Sequence, residues 1–90
     1  MAQVQFTRHL RVHFPALADV EVPGSTLAEV VERLDEMHPG LRGYLVDDRG
    51  SLRMHVNLFV NEEILRDRAG LTDPVSDSDR VFVMQALSGG

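Results

Sequence analysis

The sequence predicts a two-layer α+β domain, a mixed sheet of four to five strands with one main helix on one face. Three observations carry this reading. Period-two apolar alternation recurs at Val4-x-Phe6, Val56-x-Leu58-x-Val60 and Val81-x-Val83, the pattern of half-buried strands. Only the stretch from Leu27 to Met37 has helical periodicity. Ninety residues support one domain with one modest core.

The first strand points Val4 and Phe6 inward and Gln3, Gln5 and Thr7 outward. Alternation degrades through Arg8-His9-Leu10-Arg11, and Pro15 prevents regular pairing beyond it. A second strand at Val20-Glu21-Val22, ended by Pro23-Gly24, completes an N-terminal hairpin with a long loop. Thr26-Leu27-Ala28-Glu29 reads as a capping box: the Thr26 hydroxyl accepts from the Glu29 N–H, and the Glu29 side chain reaches back to Thr26. Leu27, Val30, Val31, Leu34 and Met37 then share one helical face, with Glu29, Glu32, Arg33, Asp35 and Glu36 opposite. Pro39-Gly40 stops the helix.

Residues 41–52 are mixed, punctuated by Gly43, Asp47-Asp48 and Gly50, with Tyr44, Leu45 and Val46 expected to tuck under the sheet. A strong strand spans about Met54 to Val60, with Val56, Leu58 and Val60 on one face and His55, Asn57 and Phe59 on the other. Asn61-Glu62-Glu63 turns the chain into a short strand at Ile64-Leu65. After a polar connection from Asp73-Pro74 to Asp79, the last strand runs from Arg80 to about Leu87, with Val81 and Val83 opposite Phe82 and Met84.

Composition narrows the function classes. No apolar run approaches the ~18–20 residues of a membrane span, and the N-terminus lacks a signal-peptide layout. A cytoplasmic protein with no membrane partner is expected. The absence of cysteine excludes disulfides, thiolate metal sites and a cysteine nucleophile. A formal charge of −5 argues against nucleic acid and favours a basic docking surface on a partner. All nine cationic side chains are arginine, so lysine-linked chains cannot be built on this protein; a GC-rich coding bias is the simpler reading of the same fact. No metal site is expected. His9 and His13 lack a helix and a catalytic Glu, and the Asp73/Asp77/Asp79 stretch lacks the glycine and terminal Glu of a calcium loop. Ser88 has no evident His or Asp partner and reads as a spacer.

The sequence closes on Leu87-Ser88-Gly89-Gly90, which reads as a flexible tail (87–90) attached to a domain over 1–86. Taken together, the Thr26 cap and Leu27 helix, the Leu10-Arg11 segment, the Val60-Asn61-Glu62 step, the Asp79-x-Val81 entry and Gly89-Gly90 resemble the MoaD/ThiS ubiquitin-like sulfur carriers. The resemblance covers essentially the whole chain and implies the β-grasp fold. Length and the Met54–Val60 strand are most similar to the branch supplying sulfur for cysteine synthesis, followed by the small subunit of molybdopterin synthase; thiamine-type carriers are shorter. Two features depart from the family pattern. Ser78-Asp79 replaces the common Gly-Asp, which favours a type I turn without positive φ, and the proline before the tail is missing.

The resemblance implies a protein cosubstrate rather than an enzyme. An E1-like adenylyl/sulfurtransferase of the MoeB/ThiF type would adenylate the Gly90 carboxylate and convert it to a thiocarboxylate, which then serves a downstream sulfur-accepting synthase. ATP and the sulfur donor belong to the activating enzyme, and no cofactor is held permanently. Gly89 and Gly90 present no Cβ to a narrow channel, and Leu87 and Ser88 complete the segment the partner holds. A modifier joined through Gly90 to target lysines, or a plain β-grasp interaction module, are the other readings. Docking energy has to come from the domain. Phe59, Phe82 and Met84 form a candidate partner-binding patch if the opposite strand face meets the helix; residues 41–52 folding over them, or a register shifted by one residue, would remove it.

Overall fold

The computed structural model describes residues 1–85. Its strands are β1 (Ala2–Phe6), β2 (Val20–Val22), β3 (Val56–Val60), β4 (Glu63–Ile64) and β5 (Arg80–Gln85). They form one five-stranded sheet in the order β2-β1-β5-β3-β4. The central β1–β5 pair is parallel, and the flanking pairs are antiparallel. Helix α1 (Leu27–Met37) and the short helix α2 (Leu41–Leu45) complete the second layer. This is the β-grasp arrangement.

Alternation decides which face is covered. Ala2, Val4 and Phe6 of β1, Val56 and Leu58 of β3, and Val81 and Val83 of β5 are buried. They meet Leu27, Val30, Val31 and Leu34 of α1 and Leu41 and Leu45 of α2 in one continuous core. Met37, the last apolar residue of the α1 stripe, is 46% exposed, so the buried stripe ends at Leu34.

The start of α1 has its orphan donors satisfied. Leu27 N–H donates to the Asp73 carbonyl at 3.0 Å, Ala28 N–H to the Leu71 carbonyl at 2.9 Å, and Glu29 N–H to Thr26 Oγ1 at 3.2 Å. The reciprocal arm of the capping box lands one residue earlier than expected: Glu29 Oε1 accepts from Ser25 N–H at 3.0 Å. The loop that supplies those carbonyls is held by Asp67, whose carboxylate accepts from Thr72 Oγ1 and from the backbone of Ala69, Gly70 and Thr72. The Thr72 hydroxyl bond, joined by these N–H groups, lowers the Asp67 pKa to about 2.

Three segments differ from the sequence expectation. Arg8–Val12 is a 3-10 helix rather than a fading strand, and it buries Leu10 completely. Residues 41–45 form a helical turn despite Gly43. β3 starts at Val56 because Arg53–Val56 is a turn, closed by Val56 N–H donating to the Arg53 carbonyl at 3.0 Å. The Arg68 guanidinium fixes that turn, donating to the carbonyls of Arg53 at 2.8 Å and Val56 at 3.0 Å and to Asn57 Oδ1 at 2.6 Å.

The β3–β4 hairpin turns on Asn61-Glu62, with φ of 50° and 74°, while Glu63 already pairs with Val60. Two positive φ values in a two-residue loop define a type I′ turn, which prefers Asn-Gly. Asn61 suits its position; Glu62 has a Cβ where glycine is preferred. Glu62→Gly should therefore stabilise the domain by about 1 kcal/mol, read as a higher midpoint in denaturant melts with unchanged slope. A lower midpoint would mean that the Glu62 side chain contributes more than the strain it causes. The Ser76–Asp79 turn has no positive φ, as its serine implied.

Candidate functional site

The sheet face away from α1 carries Gln3 and Gln5 of β1, Phe82 and Met84 of β5, and Asn57 and Phe59 of β3. Register brings the apolar members together. Phe59 lies opposite Phe82, and Met84 opposite Asn57, while Gln5 stands beside Phe82 across the parallel pair. The two phenyl rings have centroids 6.4 Å apart at 48°, within the range of a favourable aromatic pair. Phe59, Phe82 and Met84 are half-buried and line one groove of about 490 Å3.

Four polar residues close the groove: Gln5, Asn61, Glu62 and Arg80. Alternation alone did not single them out, because three of them flank the β3–β4 turn and the start of β5. Asn61 ties these two places together. Its N–H donates to the Arg80 carbonyl at 2.8 Å, its Oδ1 accepts from Arg80 N–H at 2.9 Å, and its Nδ2 donates to Asp79 Oδ1 at 2.7 Å. Asp79 also accepts from Ser76 N–H at 2.8 Å; that bond first, and the Asn61 bond second, hold its carboxyl below the usual range. Ile64, expected in a short strand with Leu65 but not in the patch, lies in β4 with Glu63: it pairs with Phe59, extends the apolar face to the sheet edge, and is 54% exposed.

Residues 41–52 lie elsewhere. Leu41, Leu45, Val46 and Leu52 are buried in the core, and none of the segment lines the groove. Tyr44 approaches the sheet from the helical side, where its hydroxyl accepts from Gln85 Nε2 at 2.7 Å. Gln85 N–H donates to Thr7 Oγ1 at 3.2 Å. The last described residue is thus held between the end of β1 and α2. Leu87, Ser88, Gly89 and Gly90 lie outside the described residues.

The residues discounted as metal ligands have separate structural partners. Asp73 accepts from Arg66 N–H and Asp67 N–H, both at 2.9 Å, and Asp77 meets the N-terminal amine at 3.3 Å. The His9 and His13 rings lie 6.2 Å apart, and His13 leans on Tyr44 at 4.9 Å. Among the described residues no helix is long and apolar enough to cross a membrane.

A five-stranded grasp sheet with an open aromatic face, on a chain that continues past β5 to Gly-Gly, matches the model of the ThiS family over residues 4–90. The chain belongs to the ThiS family. It is 34% identical over 83 residues to the sulfur carrier protein CysO of Mycobacterium tuberculosis, covering 90% of this chain and 89% of that one. It is 30% identical over 66 residues to small archaeal modifier protein 3 of Haloferax volcanii, covering 73% and 71% of the two chains. The crystal structure of the Amycolatopsis orientalis BexX/CysO complex contains a chain that superposes with a TM-score of 0.85 at 30% identity, each covered fully. This ThiS-family chain is therefore similar to proteins named as sulfur carriers and to one named as a modifier.

Proposed function

We propose that this chain is a sulfur carrier: a protein cosubstrate whose Gly90 carboxylate is activated and loaded by a partner enzyme. The observation that carries the reading is the match over residues 4–90, which includes the Gly-Gly terminus. A carboxylate is a poor acyl donor to sulfur until it has a leaving group. An E1-like enzyme supplies one by joining the Gly90 carboxylate to the AMP moiety of ATP, releasing pyrophosphate. Sulfide equivalent to HS− then attacks the acyl carbon, AMP leaves, and a thiocarboxylate remains. The loaded carrier passes its sulfur to a synthase in cysteine or molybdopterin biosynthesis, and the likeness to CysO favours the cysteine type. ATP and the sulfur source are held by the activating enzyme, so the carrier itself supplies only binding and presentation.

Binding falls to the groove of Phe59, Phe82 and Met84. Ordering each tail residue costs about 1–2 kcal/mol, so the tail alone gives little net affinity. Half-exposed aromatic groups offset this by leaving water when a partner covers them. Phe82→Ala should weaken binding to the activating enzyme by roughly 2 kcal/mol, about 30-fold. It should cost only about 1 kcal/mol of stability, because the ring is half-exposed and its main described partner is Phe59. Unchanged affinity in a titration would move the docking surface elsewhere.

A second reading, a modifier joined through Gly90 to lysines of other proteins, is supported by the likeness to small archaeal modifier protein 3. Intact-mass measurement of protein from its own host separates the two. A terminus in which one oxygen is replaced by sulfur supports the carrier, and adducts on target lysines support the modifier. An unmodified terminus after incubation with ATP, sulfide and the activating enzyme of the host would overturn both.

A further inference from the structure

The net charge of −5 conceals a division between the two ends of the sheet. The end at the Asn61-Glu62 turn and the start of β5 carries Glu62, Glu63, Asp73, Asp77 and Asp79, against Arg80, Arg66 beside Asp73 and the N-terminal amine beside Asp77. At the opposite end, where β5 finishes, register places two other segments. Thr7 is bonded to Gln85 through its side chain, so Arg8–His13 begins beside the end of β5. Val56 pairs with Gln85 on the other side, so Arg53–His55 borders the same point. These two segments contain Arg8, Arg11, Arg53 and three histidines, and no carboxylate.

Each segment also exposes an apolar side chain. Met54 is 93% exposed and Val12 is 70% exposed, more than Phe59, Phe82 or Met84 of the aromatic groove, which are half-buried. Arginine and methionine are enriched where proteins meet, and acidic residues are depleted there. Local structure fixes the rim in place: the buried Leu10 anchors the first segment, and Arg68 clamps the turn that presents Met54. Arg8 has no hydrogen-bond or ion-pair partner among the described residues. Arg11 has only a 3.6 Å contact with Asp19.

We propose that this rim is a second docking surface, and that its partner is an acidic protein surface bordering the site that receives the tail. The assignment rests on the carrier reading. A protein that meets the end of β5 also meets both flanking segments, and their charge attracts an acidic surface. The whole-chain charge alone points to a basic partner; the division of charge restricts that expectation to the opposite end of the sheet. The rim would steer and orient the tail, while the aromatic groove supplies apolar contact.

The test measures binding of the full chain to the host's E1-like activating enzyme at about 50 and about 500 mM salt, conditions that differ strongly in screening. Arg8→Glu should raise Kd at least about tenfold at low salt and by much less at high salt. Met54→Ala should weaken binding about threefold or more at both salt concentrations. If both variants bind as the unaltered chain does while Phe82→Ala binds weakly, the rim proposal is overturned and the carrier reading stands. If the unaltered chain neither binds nor is loaded, the carrier reading falls and the rim falls with it.

Discussion

Removing Gly90 should abolish loading with sulfur while leaving the folded domain unchanged. Every strand pairing and core contact described above lies at or before Gln85, so the truncation removes none of them. The chemistry responds differently. In the shortened chain the terminal carboxylate belongs to Gly89, and a residue of extended chain spans about 3.3–3.6 Å. A misplacement of about 1 Å can already cost 100-fold in a positioned reaction, so a whole-residue shift should reduce adenylation below detection. ATP–pyrophosphate exchange with the activating enzyme reads the first step, and intact mass reads the product. Thermal melts of the two proteins should coincide. Exchange at the full rate by the shortened chain would refute the assignment of Gly90 as the reactive group.

The aromatic groove was legible in the sequence because one sheet face is covered and the other open. Val56, Leu58, Val81 and Val83 mark the buried parity, which leaves Phe59, Phe82 and Met84 on the opposite one. The α1 helix was legible for a similar reason, with four buried positions at helical spacing and a threonine cap. What stayed hidden depends on contacts distant in sequence. Ile64 joins the apolar face only through its pairing with Phe59. The β3 boundary is set by Arg68, which lies beyond the strand it clamps; Met54 and Val56 share a parity, so alternation alone carried the strand through the turn. The charge division between the two sheet ends follows from register, which no stretch of sequence displays.

Leu10 shows the same problem at a single residue, with a large energetic consequence. Continued as a strand, the alternation of Val4 and Phe6 would direct Arg8 inward along with Leu10. The 3-10 helix breaks that parity. It leaves Arg8 exposed and buries Leu10 fully, with Leu10 N–H donating to the Thr7 carbonyl at 3.2 Å. Leu10→Ala should consequently cost about 3 kcal/mol, within the usual 2–5 for a buried leucine. In a domain of this size that is a large share of the total stability, and the melting midpoint should fall by roughly 12–24 °C. Val12→Ala, at a 70% exposed position in the same segment, should cost less than about 0.5 kcal/mol. Equal losses for the two variants would contradict the burial of Leu10. If the difference holds, the segment beginning beside Gln85 is anchored by its one buried leucine, and Arg8 is free to face a partner.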